Sequence, residues 1–185
     1  MSNKKTNFIA KVGMLSAAAF LLQMLGSFMG LKIGGFLEIE FSDLPAIIGT
    51  LAMGPLAGVS IELIKNLIHT FMTSTGFVGE LANFIVNGTF VFVVGIIYKY
   101  NKTKKGALIA LISGTLIMTI SAMFTNLYIM LPLYENFMPS LKSFEGKLTL
   151  VLTLITPFNF VRGLILSVIT LLIYKKISPL LKSKN

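Results

Sequence analysis

FLEIEFSDLPAIIGTLAMGPLAGVSIELIKNLIHTF, residues 36–71, joins a short extended piece, a tight turn and two helical segments without interruption. It opens with Phe36, Ile39 and Phe41 interleaved with the acids Glu38 and Glu40. Ser42 and Asp43 then read as a helix start, with Pro45 in the first turn. A first apolar run ends at Gly54 and Pro55, and a second carries Glu62, Lys65, Asn66 and His69. If the chain lives in a bilayer, residues 44–71 are short for two full crossings and long for one, at about 20 residues per spanning helix. The topology of everything else follows from how that is resolved.

The composition puts the chain in a bilayer. Of 185 residues 55% are hydrophobic and only 12% charged, against about 25% charged in soluble domains. Several apolar runs approach or exceed the length of a spanning helix, so the expected class is an all-α integral membrane protein. Without cysteine there is no disulfide, thiol nucleophile or thiolate ligand, and with one histidine and seven acids no metal site is expected. The net charge of +9 raises nucleic acid as a partner, but its placement points elsewhere. Lysines cluster at 4, 5 and 11, at 99, 102, 104 and 105, and at 175, 176, 182 and 184, with no acid in any cluster. That is the pattern of cytoplasmic helix ends facing anionic lipid, so no nucleic-acid partner is expected. Lys4 and Lys5 resemble the start of a signal peptide, yet Lys11 interrupts its apolar core and the run continues to Met29. It reads as a retained first helix.

Charge then resolves the count. With the N-terminus inside, a single crossing by 44–71 would leave the lysines of 99–105 and the C-terminus outside. Two crossings, turning at Gly54 and Pro55, place every basic cluster inside and Glu38, Glu40, Asp43, Glu80, Glu135 and Glu145 at or near the outer face. The expectation is six transmembrane helices with N- and C-termini cytoplasmic, forming a single domain over 1–185. The helices fall at about 8–29, a pair within 44–71, then 80–98, 106–131 (stopped by Pro132) and 147–174. Either the second helix is short or the third runs well beyond Phe71. The outer loop after helix 1, loosened by Gly30, Gly34 and Gly35, carries Phe36, Leu37, Ile39 and Phe41 and reads as a lid over a pocket. Packing against neighbouring loops explains any one of these residues equally well. In helix 1, Gly13 and Ala17 form a small-xxx-small pair, suited to docking another helix, whether of a partner or of the same chain.

Polar residues inside spanning helices are costly and mark function. Asn83, Asn87 and Asn126 fall in the outer half of the expected bundle, Asn159 and Arg162 near its middle, and the inner halves are almost purely apolar. A pocket open to the outside and closed below has this pattern; a continuous channel does not. Asparagine both donates and accepts. Four asparagines and one arginine therefore suit a neutral ligand rich in carbonyls, ring nitrogens and hydroxyls better than a strongly anionic one. Phe84, Tyr128, Phe158 and Phe160 are aromatic enough to sandwich a flat ring. Any single Asn is as well explained by a hydrogen bond to a neighbouring helix; five polar groups at similar depth are not. Glu62 and Lys65 are spaced to pair inside the bundle, with nothing else acidic expected at that depth, and His69 is expected to make an ordinary polar contact. There is no paired-His helix motif, phosphate loop or nucleophile elbow, so neither catalytic residues nor an intrinsic ATPase are expected.

Four stretches carry a family resemblance: FLEIEFSDLPAIIGTLAMGPLAG with ELIKNLIH (36–58 and 62–69), GELANFIVN (79–87), NLYIMLPLY (126–134) and PFNFVRG (157–163). Over nearly its whole length the chain resembles the riboflavin-binding S components of energy-coupling factor (ECF) vitamin transporters. The resemblance implies a six-helix subunit of a prokaryotic cell membrane that captures riboflavin from outside. It implies work with a transmembrane coupling subunit and two cytoplasmic ABC ATPases, no cofactor of its own, and a lid formed by the loop after helix 1. It assigns the partner interface to Gly13 and Ala17, where such proteins carry an Ala-xxx-Ala surface. Ligand contacts carry over to Asn126, Asn159 and Asn83, and to Arg162, where the family's motif has Lys; Leu37, Tyr128 and Asn87 complete the expected set, although Asn87 matches no fixed polar position of the family. Glu38 stands where the lid often has Lys. An S component for another neutral vitamin is the alternative, a ligand-free membrane assembly protein a further one. A thiamine-like cation would want a carboxylate in the pocket, for which Glu62 is the intramembrane candidate.

Overall fold

The computed structural model describes residues 3–29, 32–33, 37–38, 41–72, 77–134 and 142–181. Gly30, Gly34, Gly35, Phe36, Ile39, Glu40, Glu135, Lys182 and Lys184, on which expectations above rest, lie outside them. The chain begins with α1 (Asn3–Met29). The extended piece expected after it takes the form of two two-residue strands, β1 (Lys32–Ile33) and β2 (Leu37–Glu38), paired antiparallel with Ile33 opposite Leu37. The other regular elements among the described residues are helical.

The stretch that decided the reading folds as α2 (Leu44–Met53) and α3 (Pro55–His69), broken at Gly54. Gly54 adopts φ 101° and ψ 175°, a region open essentially to glycine alone. Pro55 then starts α3 where its missing N–H costs nothing. The two helices fold back on each other: Thr50 lies against Gly58, and Asp43 against Lys65, pairs equally distant from Gly54 on either side. A Cβ at Gly58 would fall 1.7 Å from Thr50 Oγ1 and 3.1 Å from the Ala46 carbonyl, so the helices approach as closely as backbones allow. Of the two alternatives, the short second helix is the one found. With 10 and 15 residues, α2 and α3 extend about 15 and 22 Å, each less than the hydrocarbon core of about 30 Å.

Next come α4 (Val78–Tyr100) and α5 (Lys104–Thr125), the latter started by Thr103, whose hydroxyl accepts from the Gly106 N–H at 3.0 Å. The expectation that Pro132 stops the fifth helix is corrected. The helix continues through a π segment, Asn126–Met130, into α6 (Leu131–Tyr134). The last rod repeats the device: α7 (Phe144–Leu150), a π segment Val151–Ile155, and α8 (Thr156–Leu181), with Pro157 just beyond the wide turn. In each case the last π residue stands two before the proline. Widening the turn there relieves the clash between the proline ring and the preceding carbonyls that would otherwise break the helix.

Four rods, Lys5–Phe28, Val78–Tyr100, Lys104–Tyr134 and Phe144–Ile173, are long and apolar enough to cross a membrane. Together with α2 and α3 they make six. From α3 onward, rods consecutive in sequence run antiparallel. Gly95 of α4 abuts Pro55, Gly114 of α5 fits against Val94 and Phe90, and Gly163 of α8 fits against Thr115 and Met118. The Gly54 turn and the lysine-rich connection between α4 and α5 therefore lie at one end of the bundle. The core contains Ile47, Ile61, Phe90, Val94, Leu111, Met118 and Leu166. At the other end a smaller cluster of Leu131, Val151 and Ile155 receives Leu37 from β2. Large apolar side chains such as Met14, Leu56, Ile109 and Val168 are exposed, as on helices whose outer surface faces lipid.

Candidate ligand site

The polar groups gather where α2, α3, α4 and α8 meet, and the centre is a residue the sequence reading put elsewhere. Asp43, expected at or near the outer face, is wholly buried at the start of α2. Its Oδ1 accepts from Lys65 Nζ at 2.7 Å and from Asn87 Nδ2 at 3.0 Å. Its Oδ2 accepts from Arg162 Nη2 at 2.5 Å. Lys65 Nζ also lies 2.7 Å from Glu62 Oε2 and donates to Ser42 Oγ at 3.1 Å. The Glu62–Lys65 pair is thus present as expected. The expectation that no other acid shares its depth is corrected by Asp43, and Arg162 is likewise joined by a second cation, Lys65. Two carboxylates facing two cations leave the cluster close to neutral, which is how buried charge is tolerated. The missed signal lay in spacing: Asp43 and Lys65 are equidistant from Gly54, so a hairpin turning there must bring them together.

Asn83 and Asn87 share a face as predicted, with Asn87 Nδ2 donating to Asn83 Oδ1 at 2.9 Å. Asn87 is fully buried against Asp43 and Asn83 is half-buried. Asn126 and Asn159 behave alike. Each donates to the carbonyl four residues earlier on its own helix, Asn126 to Ala122 at 2.9 Å and Asn159 to Ile155 at 2.8 Å. Neither amide oxygen has a hydrogen-bond partner among the described residues. Each also sits beside a π segment, Asn126 opening the first and Asn159 following the second. Such segments are frequent at functional sites because they turn side chains away from the regular helical register.

The remaining predicted residues scatter. Tyr128 is 62% exposed, its ring stacked on Phe124 with centroids 6.2 Å apart. Leu37 is half-buried against the end cluster. His69 Nδ1 lies 2.9 Å from Glu80 Oε1 between α3 and α4, the polar contact expected of it. Gly13 and Ala17 lie on the exposed side of α1, and no atom falls within 4 Å of a Cβ built at Gly13. The reading in which this pair packs against a helix of the same chain is thereby removed among the described residues.

Four rods long and apolar enough to cross a membrane, packed with α2 and α3 around a charge-balanced polar centre, define a helical membrane protein. The chain belongs to the ECF transporter substrate-specific component family, whose pattern it matches over residues 7–174. It is 36% identical to the riboflavin transporter FmnP of Bacillus subtilis, over 98% of this chain and 97% of that one. It is 31% identical to the riboflavin transporter RibU of Staphylococcus aureus, over 92% and 90%. Among solved structures it superposes with TM-score 0.80 on the S component of a bacterial ECF transporter, at 30% identity, covering 96% of this chain and 99% of that one.

Proposed function

We propose that this chain is the riboflavin-binding subunit of an ECF-type importer in a prokaryotic cell membrane. The whole of 1–185 acts as a single six-helix domain with both termini cytoplasmic. The observation that carries the reading is similarity to two riboflavin transporters over nine-tenths or more of each chain. Topology is supported by the placement of the Gly54 turn beside the lysine-rich α4–α5 connection, which puts basic residues and the shortest connections on one side.

In this reading Asn126, Asn159 and Arg162 hydrogen-bond the polar groups of the flavin. Asn83, Leu37 and Tyr128 border the site, and Asn87 supports it from behind through Asp43. A flavin offers carbonyl and ring-nitrogen acceptors, an N–H donor and ribityl hydroxyls. Amide side chains that both donate and accept, set beside one arginine, match that mixture. The loop through β1 and β2 closes over the ligand as a lid. Riboflavin is cargo and no cofactor is used. Gly13 and Ala17 dock on a transmembrane coupling subunit, and ATP is hydrolysed by two cytoplasmic ABC subunits of that assembly.

The test is a titration of riboflavin fluorescence with detergent-purified protein. Stoichiometric quenching is the expected result. Protein that is folded by circular dichroism, colourless, and without effect on flavin fluorescence overturns the flavin assignment and leaves another neutral vitamin as the cargo.

A further inference from the structure

Arg162 and Asp43 meet across 119 positions of sequence, and the two differ in what they can reach. The Asp43 side chain has no exposed surface, whereas that of Arg162 retains 11%. Both Asp43 oxygens are committed, Oδ1 to Lys65 and Asn87, Oδ2 to Arg162. Lys65 is itself held by Glu62 and Ser42, and Asn87 is turned by its bond to Asn83. The carboxylate is therefore held from α3 and α4 before it meets α8, and it anchors Arg162 at Nη2 through a charge-assisted hydrogen bond.

We propose that Asp43 is a positioning residue for ligand capture: it fixes the guanidinium of Arg162 at the site and acts through Arg162 without touching the ligand. This rests on the reading that Arg162 contacts riboflavin. A long flexible side chain must otherwise be ordered on binding, which costs affinity; an arginine already held in place by a buried acid has lost that freedom beforehand. The same contact also cancels the arginine's charge, so what it presents is oriented N–H donors at a nearly neutral site.

The test is a double-mutant cycle on the full-length protein in detergent, reading riboflavin affinity by fluorescence quenching. Asp43→Asn and Arg162→Ala are each expected to weaken binding by about tenfold. The double variant is expected to bind as Arg162→Ala does, within about twofold, because the role of Asp43 disappears with the side chain it positions. Losses that multiply in the double variant overturn the proposal and leave Asp43 as packing alone; so does wild-type affinity in folded Asp43→Asn. Wild-type affinity in Arg162→Ala instead removes Arg162 from the site, overturning the underlying reading while the flavin assignment still stands on quenching by the parent protein. If Asp43→Asn does not fold, Asp43→Glu keeps the charge and displaces it by one methylene. Its loss of affinity is expected to vanish in the Arg162→Ala background in the same way, and persistence of the loss there is the overturning result.

Discussion

Gly95 of α4 lies directly against the backbone of Pro55: a Cβ at Gly95 would sit 2.6 Å from the Pro55 Cα. Glycine is required here by close approach, since its own helix is regular through this point. The contact ties the break between α2 and α3 to the end of α4 that leads into the lysine-rich connection.

Gly95→Ala is therefore expected to force the α2–α3 turn away from α4 and to destabilise the fold by about 1–3 kcal/mol, the usual cost of overpacking. With no tryptophan or cysteine in the chain, the measurement is thermal melting by circular dichroism in detergent. Gly114→Ala is the comparison. Its Cβ would meet Val94 and Phe90 at 2.6 and 2.9 Å; these are side-chain and not backbone atoms, so they can yield without moving a helix break, and the smaller loss is expected there. Equal or reversed losses contradict the importance of the backbone contact.

The buried charges make a second prediction through their balance. Lys65→Met leaves Asp43 and Glu62 to share Arg162, and an uncompensated buried acid costs about 3–5 kcal/mol. Adding Glu62→Gln leaves one acid facing one cation and is expected to restore most of the lost stability. A double variant that melts as low as Lys65→Met alone shows that shape at position 65, not charge, holds the four helices together.

Asn126 and Asn159 bond only to their own helices among the described residues. Alanine at either should leave the melting curve close to that of the parent while weakening riboflavin binding by about 1–3 kcal/mol, the range for losing a hydrogen-bond partner in a buried site. Unchanged affinity in both variants removes them from the ligand site.

Leucine at Gly13 or Ala17 projects from the exposed face of α1, where no described residue comes within 4 Å of a Cβ at Gly13. Riboflavin quenching by the isolated protein is expected to be unaffected. Uptake into cells, and copurification with a coupling subunit, are expected to fall sharply, because bulk there blocks the close helix approach that small residues permit. Normal uptake by both variants places the docking surface elsewhere.

The membrane class, the six helical rods and the break at Gly54 were legible in the residues alone, whereas the choice between a short second helix and a long third one came from the fold. The legible features rest on local properties: apolar run length, lysine placement, and a Gly-Pro pair that no regular helix accommodates. The pairing of Glu62 with Lys65 was legible for the same reason, being one turn apart on a single helix. The burial of Asp43 and the convergence of Lys65, Asn87 and Arg162 on it were not legible in the residues, because these groups meet through the packing of four separate helices. The continuation of the fifth rod past Pro132 was likewise hidden. Residue preferences mark a proline as a stop, whereas a π turn stabilised by neighbouring rods lets the helix pass through. Tertiary packing also decided that Gly13 and Ala17 face outward, since a small-residue pair reads the same on either side of a helix.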